Sequence, residues 1–356
     1  MAPSAEENRL LNELTTSTLT LLAQYNSFLA PTATLPVTAH VDDPPNPLHI
    51  LRDSAKLVKA HTTKISLLAI NKPFTPSAIR KVLNELTAQC LPAMMSAVQL
   101  CDQSKPSWSG LMAVEVQARV RRVFKEMETL LEELRSVSQG NANAGRRNSL
   151  SSTGVVWESC DALIELDKVG VAGLAVEKAQ QYRDTIKDAI EELREWAEGE
   201  DPDNEGHDAL LDENDEGVEG DTESLDDLFN AANSMPKDRP ELKKLVGEAD
   251  GKLKKVALLY NALIKRRLKT FKGTDEKDGS ASTAILDETM QCLRRIPHQI
   301  DELASCFYDL DEERAKNMLL KCVNEAKTAA QVMEKSWDDV EDEFTVWSGK
   351  WKDAIG

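Results

Sequence analysis

Three stretches of this 356-residue chain carry residue types whose spacing could do chemistry. The first is DENDEGVEGDTE, residues 212–223. Its Asp212, Asn214, Gly217 and Glu223 fall on positions 1, 3, 6 and 12 of a calcium-binding loop. Glu216 stands at position 5, where a shorter side chain leaves room for the ion, and Glu219 replaces the aliphatic residue of position 8. Such a loop also needs a helix on each side, yet the preceding GEDPDNEGHDALL holds Pro202 and two glycines. The stretch is expected to be acidic spacer, not a metal site. The second is Arg146-Arg147-Asn148-Ser149, the R-R-x-S form preferred by basophilic kinases, set in the Gly/Asn/Ser-rich run from Gln139 to Thr153. Phosphate on Ser149 would place about −1.5 to −2 charge beside two arginines. The third is KLKKVALLYNALIKRRLKTFK, from Lys252 to Lys272, with eight cations and no acid. Its amphipathic pattern fits a bundle helix with a basic solvated face. It also fits an interaction helix, a nuclear-localisation cluster or an anionic-surface helix, with Lys252, Lys254, Lys255, Lys265, Arg266, Arg267 and Lys269 as the candidate contacts.

No spacing assembles a catalytic or cofactor site. There is no HExxH, Walker loop, GxGxxG or G-x-S-x-G. None of the five histidines has Glu three residues before it, as a di-iron bundle would require. Catalytic residues, metal ligands and cofactors are therefore expected to be none, with no small-molecule substrate. The six cysteines form no C-x-x-C pair and the first residues, MAPSAEENRL, carry no apolar signal core. Reduced thiols inside the cell are expected. No apolar run approaches the roughly 18–20 residues that cross a bilayer, so no membrane partner is expected.

Charge is uneven along the chain. Sixteen acids and no Lys or Arg lie between Arg194 and Lys237, and they account for nearly all of the net −18. Like charges repel such a segment from nucleic acid, so direct binding to DNA or RNA is not expected. Because the basic run begins only some 25 residues downstream, the acidic segment is a candidate to lie against it. That contact works only within about 8 Å at physiological ionic strength.

The elements that must position all this are helices. Aromatics are scarce at 5% and period-2 runs of β-branched residues are absent. Leu11, Leu14, Leu22, Tyr25 and Leu29 make one stripe. Leu48, Leu51, Ala55, Val58, Ile65 and Leu68 make a second, with Asn46 as N-cap and Pro47 at the first helical position. A third helix runs from Thr75-Pro76 to about Gln103 and should kink at Pro92. A fourth carries Ala113, Val116, Val120, Val123, Met127, Leu130, Leu134 and Val137. Two more follow, in TGVVWESCDALIEL and through Ala175, Ala179, Tyr182, Ile186, Ile190, Leu193 and Ala197. Past the acidic stretch come a short helix near Ser224, a long one through Leu242, Leu245, Ala249, Leu253, Val256, Tyr260 and Leu263, and last helices in which Pro297 is a break or kink. Helices of about 28 residues are roughly 42 Å long and pack lengthwise. The expected fold is all-α, two up-and-down helical bundles at residues 1–198 and 223–356, with residues 199–222 a flexible acidic linker.

Two stretches go beyond generic helix. VVWESCDAL (Val155–Leu163) with IKDAIEEL (Ile186–Leu193), and IDELASCFY (Ile300–Tyr308) ahead of a long NEAKTAA helix, resemble the cyclin-D-interacting protein family, also called GCIP or Maid. Trp157, Cys160, Asp161, Asp301, Glu302, Leu303 and Tyr308 carry the likeness. The resemblance implies vinculin- or α-catenin-like bundles and a non-enzymatic regulator that binds D-type cyclins and helix-loop-helix factors. It further implies restraint of the cell cycle, in nucleus and cytoplasm. Arg266-Arg267-Leu268, with Phe271 further along, approximates a cyclin-docking R-x-L-[LF] motif. The competing expectation is a structural adaptor that binds cytoskeletal or adhesion partners. Trp157 is expected in the core, with Asp161 and Asp301 at caps or on exposed helix faces.

Overall fold

The fold is that of a computed structural model, in which residues 5–33, 35, 44–139, 151–198, 235–236, 238–272 and 279–356 are described. Among them the chain is all helical, with no strand. It divides into two compact units. The first is Met1–Leu174 with Gly273–Ala284, and the second is Ala175–Lys272 with Ile285–Gly356.

In the first unit the helices are α1 (Ala5–Phe28), α2 (Pro47–Ile70), α3 (Pro76–Glu85), α4 (Leu91–Gln103), the single turn α5 (Lys105–Trp108), α6 (Gly110–Ser138) and the start of α7 (Thr153–Glu198). The Asn46 side chain accepts from the backbone N–H groups of Leu48 and His49 with Pro47 inside the first turn, as the sequence predicts. α3 and α4 are joined by a π-helical turn, Leu86–Cys90, in which the Leu91 N–H reaches back to the Leu86 carbonyl. This is how the chain absorbs Pro92. The extra residue of the π turn re-phases the ladder just before the position where an N–H is missing.

The stripe along α6 (Val116, Val120, Val123, Met127, Leu130 and Leu134) is fully buried. α6 packs against α1 and α4, and α2 against α3 and α4. The α1–α6 pair is antiparallel: Asn12 meets Ser138 at one end (2.7 Å), and Asn26 meets Glu128 (2.9 Å) beside a stack of Tyr25 on Phe124 at the other. α2 faces the first part of α7 through a seven-residue rhythm. Arg52 pairs with Asp167 (2.8 Å), Lys59 with Asp161 (2.5 Å), and Ser66 shares a buried hydrogen bond with Thr153 (2.6 Å). Ascending numbers on one helix meet descending numbers on the other, which is up-and-down packing.

α7 is broken at Gly170, where φ is 63° and ψ is −173°. A side chain there would force a backbone region essentially reserved for glycine. Gly170→Ala is expected to lower stability by about 1–3 kcal/mol, although open space surrounds the position. A thermal midpoint within a degree of wild type would show that the break is not fixed by this glycine. The units part at Leu174, four residues on, and not at the acidic stretch. Both residues that bound that stretch belong to the second unit: the Met235 N–H donates to the Trp196 carbonyl at 3.0 Å, and Met235 is buried. The short helix expected near Ser224 lies outside the described residues.

The second unit holds the end of α7, α8 (Pro240–Arg266) with a 3-10 turn Leu268–Thr270, α9 (Gly279–Tyr308, from Ile285 onward), α10 (Glu312–Val332) and α11 (Glu343–Ile355). Every residue of the predicted α8 stripe from Leu242 to Leu263 is buried. α8 packs on α10 and α11. Trp351 donates to the Lys255 carbonyl (2.9 Å), and the Lys255 ammonium donates to the Ala354 carbonyl (2.7 Å).

Pro297 lies inside α9 without ending it. Lacking an N–H, it leaves the Leu293 carbonyl without its helical donor. The Tyr260 hydroxyl, from α8, fills that vacancy at 2.6 Å. Tyr260 is fully buried, and burial pushes its pKa well up, so it stays a donor. Tyr260→Phe is expected to cost about 1–3 kcal/mol, the penalty of an unpaired buried carbonyl. The cost should shrink when Pro297→Ala restores a backbone N–H. Equal costs in both backgrounds of a double-mutant cycle would sink this account.

Candidate interaction surfaces

The basic segment is largely consumed by its own unit. Lys252 pairs with Glu248 (2.9 Å), Lys254 with Asp250 (2.7 Å) and Arg266 with Glu343 (2.8 Å). Such exposed pairs each contribute only about 0.2–1 kcal/mol. They nevertheless turn the helix from a bare cationic face into an alternating one. Lys265 and Lys269 are exposed.

Arg267 corrects the sequence reading outright, because it is 1% exposed. Its guanidinium forks onto both Asp342 oxygens (2.7 and 2.8 Å), donates to the carbonyls of Met333 (2.9 Å) and Glu334 (3.1 Å), and lies 4.4 Å over the Phe344 ring. Asp342 also N-caps α11 through the N–H groups of Phe344 and Thr345, and the Arg267 fork holds its carboxyl well below the usual range. The Trp337 indole closes the cluster by donating to the Arg267 carbonyl (2.8 Å). Arg267 is thus an internal clamp between the end of α8 and the segment that leads into α11. With it, Leu268 (0%) and Phe271 are buried, so the approximate R-x-L motif offers no accessible peptide.

The residues that carry the family likeness divide by position. Cys160 and Leu303 are fully buried. Asp161 lies on the exposed face of α7 with Lys59, and Asp301 and Glu302 are exposed on α9. Trp157, expected in the core, is 37% exposed. It is one step around α7 from the buried Val156–Cys160–Leu163 stripe.

Tyr308, at the end of α9, is 47% exposed and meets the half-buried Trp196 edge to face, with ring centroids 5.3 Å apart. Burial pushes the Tyr308 pKa up, and the charge of Glu192 pushes it further. Glu192, Glu195 and Glu198 on α7 and Asp301 and Asp309 on α9 are all exposed. Sequence reasoning misses Trp196. Its helical period marks it only as a flank position, and nothing in the chain signals a partner 112 residues away.

All six cysteines are free and buried, and burial pushes the thiols of Cys101, Cys160 and Cys322 up to about 12 and that of Cys292 up to about 11. Such thiols stay protonated near neutral pH and are poor nucleophiles. Among the described residues there is no cluster of three His, Cys, Asp or Glu side chains placed to hold a metal, and no helix long and apolar enough to cross a membrane. Arg146, Arg147 and Ser149, and the calcium-loop look-alike at 212–223, lie outside the described residues.

These features define an all-helical bundle protein whose described surfaces are mixed charge with isolated exposed aromatics. The chain belongs to the Grap2 and cyclin-D-interacting family: the family's N-terminal model matches residues 50–199 and its C-terminal model residues 210–330. It is 25% identical over 310 residues to an uncharacterized protein of Schizosaccharomyces pombe, across 86% of this chain and 83% of that one. It is 26% identical over 261 residues to a Cyclin-D1-binding protein 1 homolog of Xenopus laevis, across 72% of this chain and 70% of the frog protein.

Proposed function

We propose that this is a non-enzymatic regulatory protein that works by binding other proteins: cyclin-like partners first, and helix-loop-helix factors by the family resemblance. Its role is restraint of cell-cycle progression, in cytoplasm and nucleus. The observation that carries the reading is the match of both halves of the cyclin-D-interacting family, in order, along one chain. The frog relative, whose name states cyclin D1 binding, supports it. The thiols held protonated by burial agree with a protein whose chemistry is surface recognition. Because Arg267, Leu268 and Phe271 of the approximate R-x-L segment are buried, cyclin contact is assigned to folded helix faces and not to a linear peptide.

Affinity purification of the full chain from its native cells, with partners identified by mass spectrometry, tests this. Recovery of a cyclin or a transcription regulator is expected. Recovery of cytoskeletal or adhesion proteins alone would replace the reading with that of a structural adaptor.

A further inference from the structure

The Trp196–Tyr308 pair is an apolar feature in an unusual electrostatic setting. Two aromatic side chains meet edge to face at the ends of α7 and α9, and close to half of Tyr308 remains open to solvent. Tyr and Trp are the side chains most enriched in the anchoring centres of protein interfaces, since one rigid ring covers much area at little conformational cost. Around the pair the exposed charges of the described residues are mostly acidic: Glu192, Glu195 and Glu198 on one helix, Asp301 and Asp309 on the other. Two cations stand among them, Arg194 at 3.9 Å from Glu191 and Arg314 at 3.9 Å from Asp309, and the acids outnumber them. The Met235 N–H is bonded to the Trp196 carbonyl, and Met235 is buried.

We infer that the exposed Trp196–Tyr308 pair, with its acidic rim on α7 and α9, is a docking site for a Lys/Arg-rich segment of another protein that offers an apolar side chain to the rings. Charge complementarity selects the occupant. An acidic or neutral apolar segment would bring like charge, or no compensating charge, to a rim of exposed carboxylates, whereas a basic one is steered in and can lay a cation on an aromatic face. The exposed carboxylates of α7 and α9 steer such segments in and so act on the association rate, while the rings act on the dissociation rate. This rests on the reading of the protein as a binding protein and names a surface and a partner chemistry for it.

The test uses the full-length protein and a fluorescein-labelled amphipathic helical peptide of Lys and Leu, with a Glu-and-Leu peptide of equal length as control, read by fluorescence anisotropy at two salt concentrations. The Lys peptide should bind and weaken as salt rises, and the Glu peptide should not bind. Tyr308→Ala should weaken binding by about tenfold or more. Because that variant can fail to fold, the surface triple Glu192→Gln, Glu195→Gln, Glu198→Gln is measured beside it. It should keep the wild-type melting temperature, weaken binding and flatten the salt dependence. If the folded triple binds like wild type, the inference is overturned. If the native protein still captures a cyclin in that event, only this site falls and the proposed function stands.

Discussion

Asp342→Ala is expected to destabilise the second unit by about 3–5 kcal/mol, because it leaves the Arg267 guanidinium, 1% exposed, without its counter-charge. The carbonyls of Met333 and Glu334 still accept from it, and Phe344 still lies beneath it, but none carries a full negative charge. The same substitution removes the N-cap of α11, a further loss of about 1 kcal/mol. Arg267→Lys should fail to rescue the site from the other side. An ammonium keeps the charge and cannot span two carboxylate oxygens and two carbonyls in one plane. Denaturant unfolding followed by tryptophan fluorescence is the measurement, since Trp337 donates to the Arg267 carbonyl and touches Phe271 edge to face. A loss below about 1 kcal/mol, the range of an exposed ion pair, would show that the clamp is ornamental.

The same cluster sets a pH dependence. Asp342 is held below its ordinary value chiefly by the Arg267 hydrogen bonds. A carboxyl depressed in the folded state contributes stability that is fully present above its unfolded value, about 3.9, and is lost as pH falls from there toward the folded value. Stability should therefore decline through the acid range below about pH 4–5. In Asp342→Asn that part of the decline should vanish, at a lower plateau. Parallel stability curves for the wild type and the Asp342→Asn variant would contradict the assignment.

Phe124→Ala in α6 is the second large effect, with an expected cost of about 3–5 kcal/mol to the first unit. The ring is fully buried on the helix that packs against both α1 and α4, and it stacks on Tyr25 at 5.6 Å. The stack adds about 0.5–1.5 kcal/mol to the transfer and cavity terms. Phe124→Leu, which keeps most of the volume, should cost much less. A calorimetric scan should lower the transition of the first unit and leave intact the one that responds to Asp342→Ala. A cost under about 2 kcal/mol would mean that α1 and α6 close around the gap.

Periodic features of this fold were open to reading from the chain. The stripe of α8 is buried position for position, that of α6 is buried from Ala113 to Leu134 with Val137 half-buried at its end, and the Asn46-Pro47 start of α2 is capped as its residues dictate. Features that depend on distant partners were closed to it. Pro297 signals a break, and only Tyr260, 37 residues earlier, explains why α9 continues. Arg267 reads as one more cation in a basic run. Its burial depends on Asp342 and on carbonyls from the α10–α11 connection, none adjacent in sequence. The two helices expected in TGVVWESCDALIEL and from Ala175 onward are the two arms of α7, and the break between them falls at Gly170, whose positive φ carries the turn. Composition suggests a boundary at the acidic stretch, while the compact units divide at Leu174, where no change of composition marks the chain. Trp157 shows the same limit in a side chain: it is expected in the core, and more than a third of its surface lies outside.

Protein recognition by folded helix faces, the function proposed above, is open to titration of the purified full-length protein with a purified D-type cyclin, followed by calorimetry. A saturable complex is expected, with an affinity unchanged by Arg266→Ala, since Arg267 and Leu268 are buried and the segment is not read as a peptide. No heat of binding at concentrations where other cyclin partners bind, or binding abolished by that single surface substitution, would contradict it.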